Sequence, residues 1–225
     1  MRRATSVLLA LGALMTASTL AAPAAGAAPR DGGPAAVPAG WERIDGAELA
    51  AMNGEENGAA DGERSLAASA DPAAEETVLL AVQSVRNGNF VATEKNYPSP
   101  NTGALRARSA DIGGSWEGFA FEWDEDTQTY ALRSLANDRY VAVEKNFTGS
   151  SQNLLRARST GVGGWERFVL YYSEELDRWA LQSTLNGLFV AMENGYTGSL
   201  QYALRARSAE IGGSWEEFVL YDLES

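Results

Sequence analysis

From Thr77 to its end the chain alternates apolar and polar positions in short runs. A period of two puts every second side chain on one face, the mark of a strand with one buried side. Thr77–Ser84 is such a run, and Ala131–Ser134 and Ala180–Ser183 match its end further on. Phe90–Glu94, Tyr140–Glu144 and Phe189–Glu193 each read aromatic-Val-Ala-x-Glu. In Leu-Arg-Ala-Arg-Ser, Leu and Ala point one way and the two arginines the other. Gly113-Gly114, Gly163-Gly164 and Gly212-Gly213 mark turns, because paired glycines tolerate positive φ. A further strand follows each Trp-Glu-x-Phe motif, as in Phe168–Tyr172 and Phe218–Asp222.

These runs recur. Leu-Arg-Ala-Arg-Ser stands at Leu105–Ser109, Leu155–Ser159 and Leu204–Ser208, and Trp116-Glu117, Trp165-Glu166 and Trp215-Glu216 follow at spacings of 49 and 50 residues. A repeat of this length is one supersecondary unit copied. Three units of four short strands predict an all-β domain over Glu76–Ser225, with units near 76–125, 126–175 and 176–225. Three blades are too few for a propeller ring, whereas three four-stranded units close as a barrel capped by hairpins. The expected fold is a single β-trefoil.

The run from aromatic-Val-Ala through Leu-Arg-Ala-Arg-Ser to Gly-Gly and Trp-Glu-x-Phe, present three times, resembles the fascin-like branch of β-trefoils. The resemblance covers about two-thirds of the chain, from Glu76 onward. It implies the fold strongly and the function weakly, since members include actin bundlers, carbohydrate-binding modules and secreted bacterial proteins. Actin bundlers of this type carry several trefoils in tandem, and this chain carries one. The Ala-rich start and Ala/Gly-rich composition point to a high-GC secreting bacterium of the actinobacterial type.

The N-terminal third reads differently. Arg2-Arg3, the apolar Val7–Leu14 and Ala25-Gly26-Ala27 have the order of a secretory signal peptide, 1–27, with a mature start expected at Ala28. Secretion is therefore the expected localisation. Ala28–Glu75 is dominated by Ala, Gly, Pro and acids and is expected to be a disordered acidic leader. One island interrupts it, residues 41–52. Asp45 with Glu48 has capping-box spacing, and Leu49 and Met52 would share a helix face. The island either packs back on the domain or orders on a protein partner, with Trp41, Ile44, Leu49 and Met52 as contacts.

Composition narrows the chemistry. The chain has no Cys and no His, so the familiar nucleophile–base pairs and the commonest metal ligand are missing; no catalytic residue, metal or cofactor is expected. Its net charge of −12 opposes phosphate backbones and anionic lipid, so neither nucleic acid nor membrane insertion is expected. Asp124-Glu125-Asp126 lacks the glycine and distal glutamate of a calcium loop and reads as a solvated turn.

Trp116, Trp165 and Trp215, with Phe119, Phe168 and Phe218, are expected in the core, although tryptophan can also be a sugar platform. Glu117, Glu166 and Glu216 are expected to pair with Arg108, Arg158 and Arg207. Arg106, Arg156 and Arg205 are expected to be solvated. The loops after the second strand of each unit carry Glu94, Asn96 and Tyr97, then Glu144, Asn146 and Phe147, then Glu193, Asn194 and Tyr196. An aromatic beside acids and amides can stack on a sugar and bond its hydroxyls, or it can seal the barrel mouth. Two functions remain. One is a non-enzymatic adaptor or scaffold subunit of an extracellular protein complex, by analogy a bacterial toxin particle with separate lectin subunits. The other is a free carbohydrate-binding, lectin-like module using those three loops.

Overall fold

The computed structural model describes residues 37–57 and 77–224; the expected signal peptide, the leader stretches 28–36 and 58–75, and Glu76 and Ser225 of the expected domain lie outside them. A short strand β1 (Glu42–Ile44) and a helix α1 (Gly46–Asn57) come first. The first repeat then supplies β2 (Thr77–Ser84), β3 (Phe90–Glu94), β4 (Ala104–Ser109) and β5 (Gly118–Asp124). The second supplies β6 (Thr129–Ser134), β7 (Arg139–Glu144), β8 (Leu154–Ser159) and β9 (Arg167–Ser173). The third supplies β10 (Arg178–Ser183), β11 (Phe189–Met192), β12 (Leu204–Ser208) and β13 (Phe218–Asp222).

Six strands close a barrel: β2 pairs β5, β5 pairs β6, β6 pairs β9, β9 pairs β10, β10 pairs β13, and β13 returns to β2, all antiparallel. Closure leaves none of the six with a fully open side. Their inward residues, among them Leu80, Phe119, Phe121, Tyr130, Phe168 and Phe218, are buried in one cluster. The hairpins β3–β4, β7–β8 and β11–β12 cap one mouth. The fold is therefore all-β with trefoil connectivity.

A ring of backbone bonds ties the hairpins together across the repeats. Ala157 N donates to Gly103 O at 2.8 Å, Ala206 N to Asn153 O at 3.0 Å and Ala107 N to Tyr202 O at 2.9 Å. The three acceptors share the left-handed region, with φ of 81° at Gly103, 59° at Asn153 and 62° at Tyr202. At Gly103 a side chain has no room, since a Cβ would stand 2.4 Å from Ala157 O.

The N-terminal island belongs to the domain. β1 adds to β9 in antiparallel register, Ile44 opposite Leu170 and Glu42 opposite Tyr172. Asp45 and Glu48 form a reciprocal capping box, Asp45 N to Glu48 Oε2 at 3.0 Å and Glu48 N to Asp45 Oδ1 at 2.9 Å. Tyr130 Oη donates to Asp45 O at 2.6 Å, which fixes the chain's entry into the helix. Ile44 and Leu49 join the barrel cluster, Met52 packs on its edge, and Trp41 packs with Tyr171, Ala180 and Phe189. The reading of Trp41, Ile44, Leu49 and Met52 as contacts for a partner is corrected accordingly: they cover the protein's own barrel. A helix this short cannot persist alone in water, and the nearest apolar surface is the barrel itself.

Candidate functional site

Each capping hairpin holds one buried glutamate between two arginines. The register sets Glu94 opposite Ala104 and Ala92 opposite Arg106, so Glu94 and Arg106 are diagonal neighbours on one face. Arg106 Nη1 lies 3.2 Å from Glu94 Oε1, Arg156 Nη1 3.0 Å from Glu144 Oε1 and Arg205 Nη1 3.1 Å from Glu193 Oε1. Arg108, Arg158 and Arg207 reach the same three carboxylates through Nε, the last at 2.6 Å. The expected pairing of Arg108, Arg158 and Arg207 with Glu117, Glu166 and Glu216 does not occur. Those glutamates instead accept from the glycine turns: Gly113 N at 3.2 Å, Gly163 N at 2.9 Å and Gly212 N at 3.2 Å. The partner is decided by the hairpin, whose second arginine alternates onto the glutamate's face.

The first arginines are also not the solvated face expected of them. Arg106 is buried, and Arg156 and Arg205 are nearly so at the side chain. Each crosses to the neighbouring repeat: Arg106 Nε donates to Gln201 O at 2.6 Å, Arg156 Nε to Thr102 O at 2.9 Å and Arg205 Nε to Gln152 O at 2.6 Å. Burial lowers the Arg156 pKa below its ordinary value, with Glu144 opposing the shift.

The loop aromatics lie on these arginines. Guanidinium carbons sit 5.6 Å from the Tyr97 ring centroid, 5.5 Å from Phe147 and 5.7 Å from Tyr196. The hydroxyls of Tyr97 and Tyr196 accept from the same arginines. All three rings are half-buried, while Asn96, Asn146 and Asn194 are exposed. Glu94, Glu144 and Glu193, sequestered in their ion pairs, are not presented to a ligand's hydroxyls. An open pocket of about 270 Å³ lies beside Tyr196, lined by Gly195, Thr197 and Leu200 with Ser150 of the second repeat.

The tryptophans stand outside the core. Trp116, Trp165 and Trp215 are half-buried and carry cations on their faces: Lys95 at 5.3 Å, Arg158 at 5.5 Å with Lys145 at 6.0 Å, and Arg86 at 4.7 Å. Their backbone carbonyls accept from Thr93 N, Val143 N and Met192 N at 2.9–3.0 Å, docking each hairpin on the barrel. Phe119, Phe168 and Phe218 fill the core instead. The tryptophans precede their strands, in the turn, where strand alternation does not apply.

Among the described residues no group of three or more acidic residues is placed to hold a metal ion, and no helix is long and apolar enough to cross a membrane. In the Asp124-Glu125-Asp126 turn, Asp124 Oδ2 pairs with Arg167 Nη1 at 2.7 Å and Glu125 accepts Trp123 Nε1 at 2.7 Å. The hydrogen bond from Arg167 holds the Asp124 carboxyl below its ordinary range.

One duplicated network was not anticipated. Tyr171 Oη donates to Gln182 Oε1 at 3.0 Å, whose Nε2 donates to Gly187 O at 2.9 Å. Tyr221 Oη donates to Gln83 Oε1 at 3.0 Å, whose Nε2 donates to Gly88 O at 2.8 Å. The signal was in the sequence: Ala-Val-Gln-Ser and Ala-Leu-Gln-Ser end β2 and β10, against Ala-Leu-Arg-Ser in β6.

No protein-family model matches the chain, and no curated protein matches its sequence. Its structure does have counterparts. A designed threefold-symmetric protein, ThreeFoil, aligns with a TM-score of 0.52 at 19% identity over 64% of this chain and 99% of its own. The fold is a β-trefoil. A mosquitocidal holotoxin aligns at 0.53 and 11% identity over 66% of this chain but only 17% of its own. The Rhizoctonia solani agglutinin aligns at 0.50 and 11% identity over 65% of this chain and 95% of its own.

Proposed function

We propose that the protein is a secreted, non-enzymatic adaptor of the fascin-like type, from a high-GC actinobacterial-type host, which joins protein subunits of an extracellular complex. The observation that carries this reading is the strand β1. It lies outside the repeats, yet it is bound on the barrel wall through backbone pairing and two apolar anchors, Trp41 and Ile44. Such strand addition is a general mode of peptide recognition. The trefoil in the holotoxin supports a place for this fold in larger toxin assemblies. Affinity purification of the full-length protein from culture medium, with mass spectrometry, tests the reading. A secreted protein partner in stoichiometric amount is expected; the protein recovered alone would overturn it.

A second reading, saccharide binding, is favoured by the open pocket beside Tyr196. The agglutinin shares the fold. This reading leaves Glu94, Glu144 and Glu193 out of the contact, since all three are sequestered in their ion pairs, and it places sugar at the third repeat, where the pocket lies. A glycan array with wild type and Tyr196→Ala tests it: binding lost in the variant supports a lectin, and no binding by either protein excludes one.

A further inference from the structure

The barrel offers three equivalent places for an added strand, and the described residues fill two of them. On β9 the place is taken by β1, with Arg43 opposite Tyr171 and Ile44 opposite Leu170. On β5 the start of β2 takes it, with Thr77 opposite Glu122 and Val78 opposite Phe121. The repeat register makes Phe121, Leu170 and Leu220 equivalent, and likewise Glu122, Tyr171 and Tyr221. On β13 the only pairing toward β10 is Phe218 with Trp179, and among the described residues no strand pairs beyond it.

Burial follows the occupancy. Phe121 and Leu170 are fully buried, whereas Leu220 is partly exposed. Tyr171, under Trp41, is 2% exposed; Tyr221 is 40% exposed. Ile211 packs in the Trp41 cluster, and its counterpart Ile112 is 39% exposed. The backbone also faces the right way. Glu217 O accepts from Val85 N and Leu223 N donates to Leu79 O, so the odd-numbered residues of β13 bond β2. Alternation then turns the N–H and C=O of Leu220 to the open side, as Leu170 turns its own to β1. A cavity of about 240 Å³ lies there, between Met52 of α1, Asp177, Trp179 and Val219–Tyr221.

We infer that this third place is a docking slot for an extended segment of a partner protein, with the side-chain pattern aromatic-x-basic-aliphatic. The inference rests on the adaptor reading and gives it a site. The pattern comes from the filled counterpart on β9. The aliphatic residue takes the position of Ile44, over Leu220 and beside Met52. The aromatic takes that of Trp41, on Tyr221, Phe90 and Ile112; the Phe90 and Tyr221 rings already stand 5.3 Å apart, as Tyr171 and Phe189 stand 5.7 Å apart. The basic residue takes that of Arg43, which donates to Gln128 O in the β5–β6 turn. The corresponding β9–β10 turn is Glu174-Glu175-Leu176-Asp177, with Asp177 in the place of Gln128. Arg178 Nη1 already donates to Asp177 O at 2.6 Å and Tyr172 Oη to Asp177 Oδ1 at 3.1 Å, yet three carboxylates against that one cation favour a second cation there.

The test uses the full-length protein and a labelled, end-blocked peptide of residues 39–45, Ala-Gly-Trp-Glu-Arg-Ile-Asp, as the probe. Fluorescence anisotropy should show saturable binding, at least about tenfold weaker for Tyr221→Ala and weakened for Asp177→Asn, both variants melting like wild type. No binding, or binding unchanged by both variants, overturns the slot. If either variant fails to fold, peptide-induced protection of the Leu220 amide in wild type decides in its place: protection supports the slot, none overturns it. Sedimentation gives a further check, since a dimer lost in Tyr221→Ala would name a second copy as occupant and overturn the assignment to a partner. Co-purification separates the two proposals. A partner complex retained in full by Tyr221→Ala and Asp177→Asn refutes the slot but not the adaptor, and no complex with wild type refutes the adaptor.

Discussion

Leu49→Ala asks whether the N-terminal helix is part of the domain. Leu49 is fully buried, in the same cluster as Ile44 and the barrel strands. Burial of this kind makes Leu→Ala substitutions cost about 2–5 kcal/mol, and the value depends on how far the surroundings collapse into the void. Two walls behave differently here. The barrel side is fixed by paired strands and cannot close in, but α1 is short and can slide toward the gap. A middle value of about 3 kcal/mol follows. For a domain of this size each kcal/mol lowers Tm by roughly 2–4 °C, so a fall of about 6–12 °C is expected. Differential scanning calorimetry at fixed pH and concentration measures it, with Leu49→Met, which nearly conserves volume, as a control within about 1.5 kcal/mol. Melting of Leu49→Ala within a degree or so of wild type would refute the reasoning and restore the island as a segment waiting for a partner.

Phe168→Ala should cost about 3–5 kcal/mol, whereas Trp165→Ala, half-exposed and held by cation contacts, should cost about 1–2; urea midpoints for the pair compare them. Gly103→Ala should destabilise by at least ~2 kcal/mol, because its Cβ would meet the Ala157 carbonyl at a positive φ; thermal melts check this. Burial raises the Tyr171 pKa above the ordinary tyrosine value of 10.0, so its contribution is complete below that value and is lost as pH rises through the raised one. The stability from urea titrations at rising alkaline pH, starting about one unit below that ordinary value, should fall less steeply for Tyr171→Phe than for wild type.

The strands were legible because a period of two is local and the motif is written three times. Thr77–Ser84, Phe90–Glu94 and Phe218–Asp222 were readable to the residue. The arginine partners were not. The motif contains two glutamates, and choosing between Glu94 and Glu117 requires the β3–β4 register, which a bulge at Phe90/Val91 shifts. Invariance across repeats could not place Trp116, Trp165 and Trp215 either, since a docking turn recurs as faithfully as a core position. Trp41 and Ile44 could be picked out as anchors, but the surface they cover lies two repeats away in sequence, on Tyr171 and Leu170. For the slot, the sequence held half of the answer in Gln83 and Gln182; the missing half is an edge that no described residue pairs, which only the assembled barrel displays.

Amide hydrogen exchange at Leu170 and Leu220, in the full-length protein alone and in the complex purified from culture medium, tests the central claim most directly. Leu170 should exchange slowly in both, protected by β1. Leu220 should exchange quickly in the free protein and slowly in the complex, as the partner's strand fills the third place. Fast exchange of Leu220 in the complex, or protection equal to that of Leu170 in the free protein, would contradict the account.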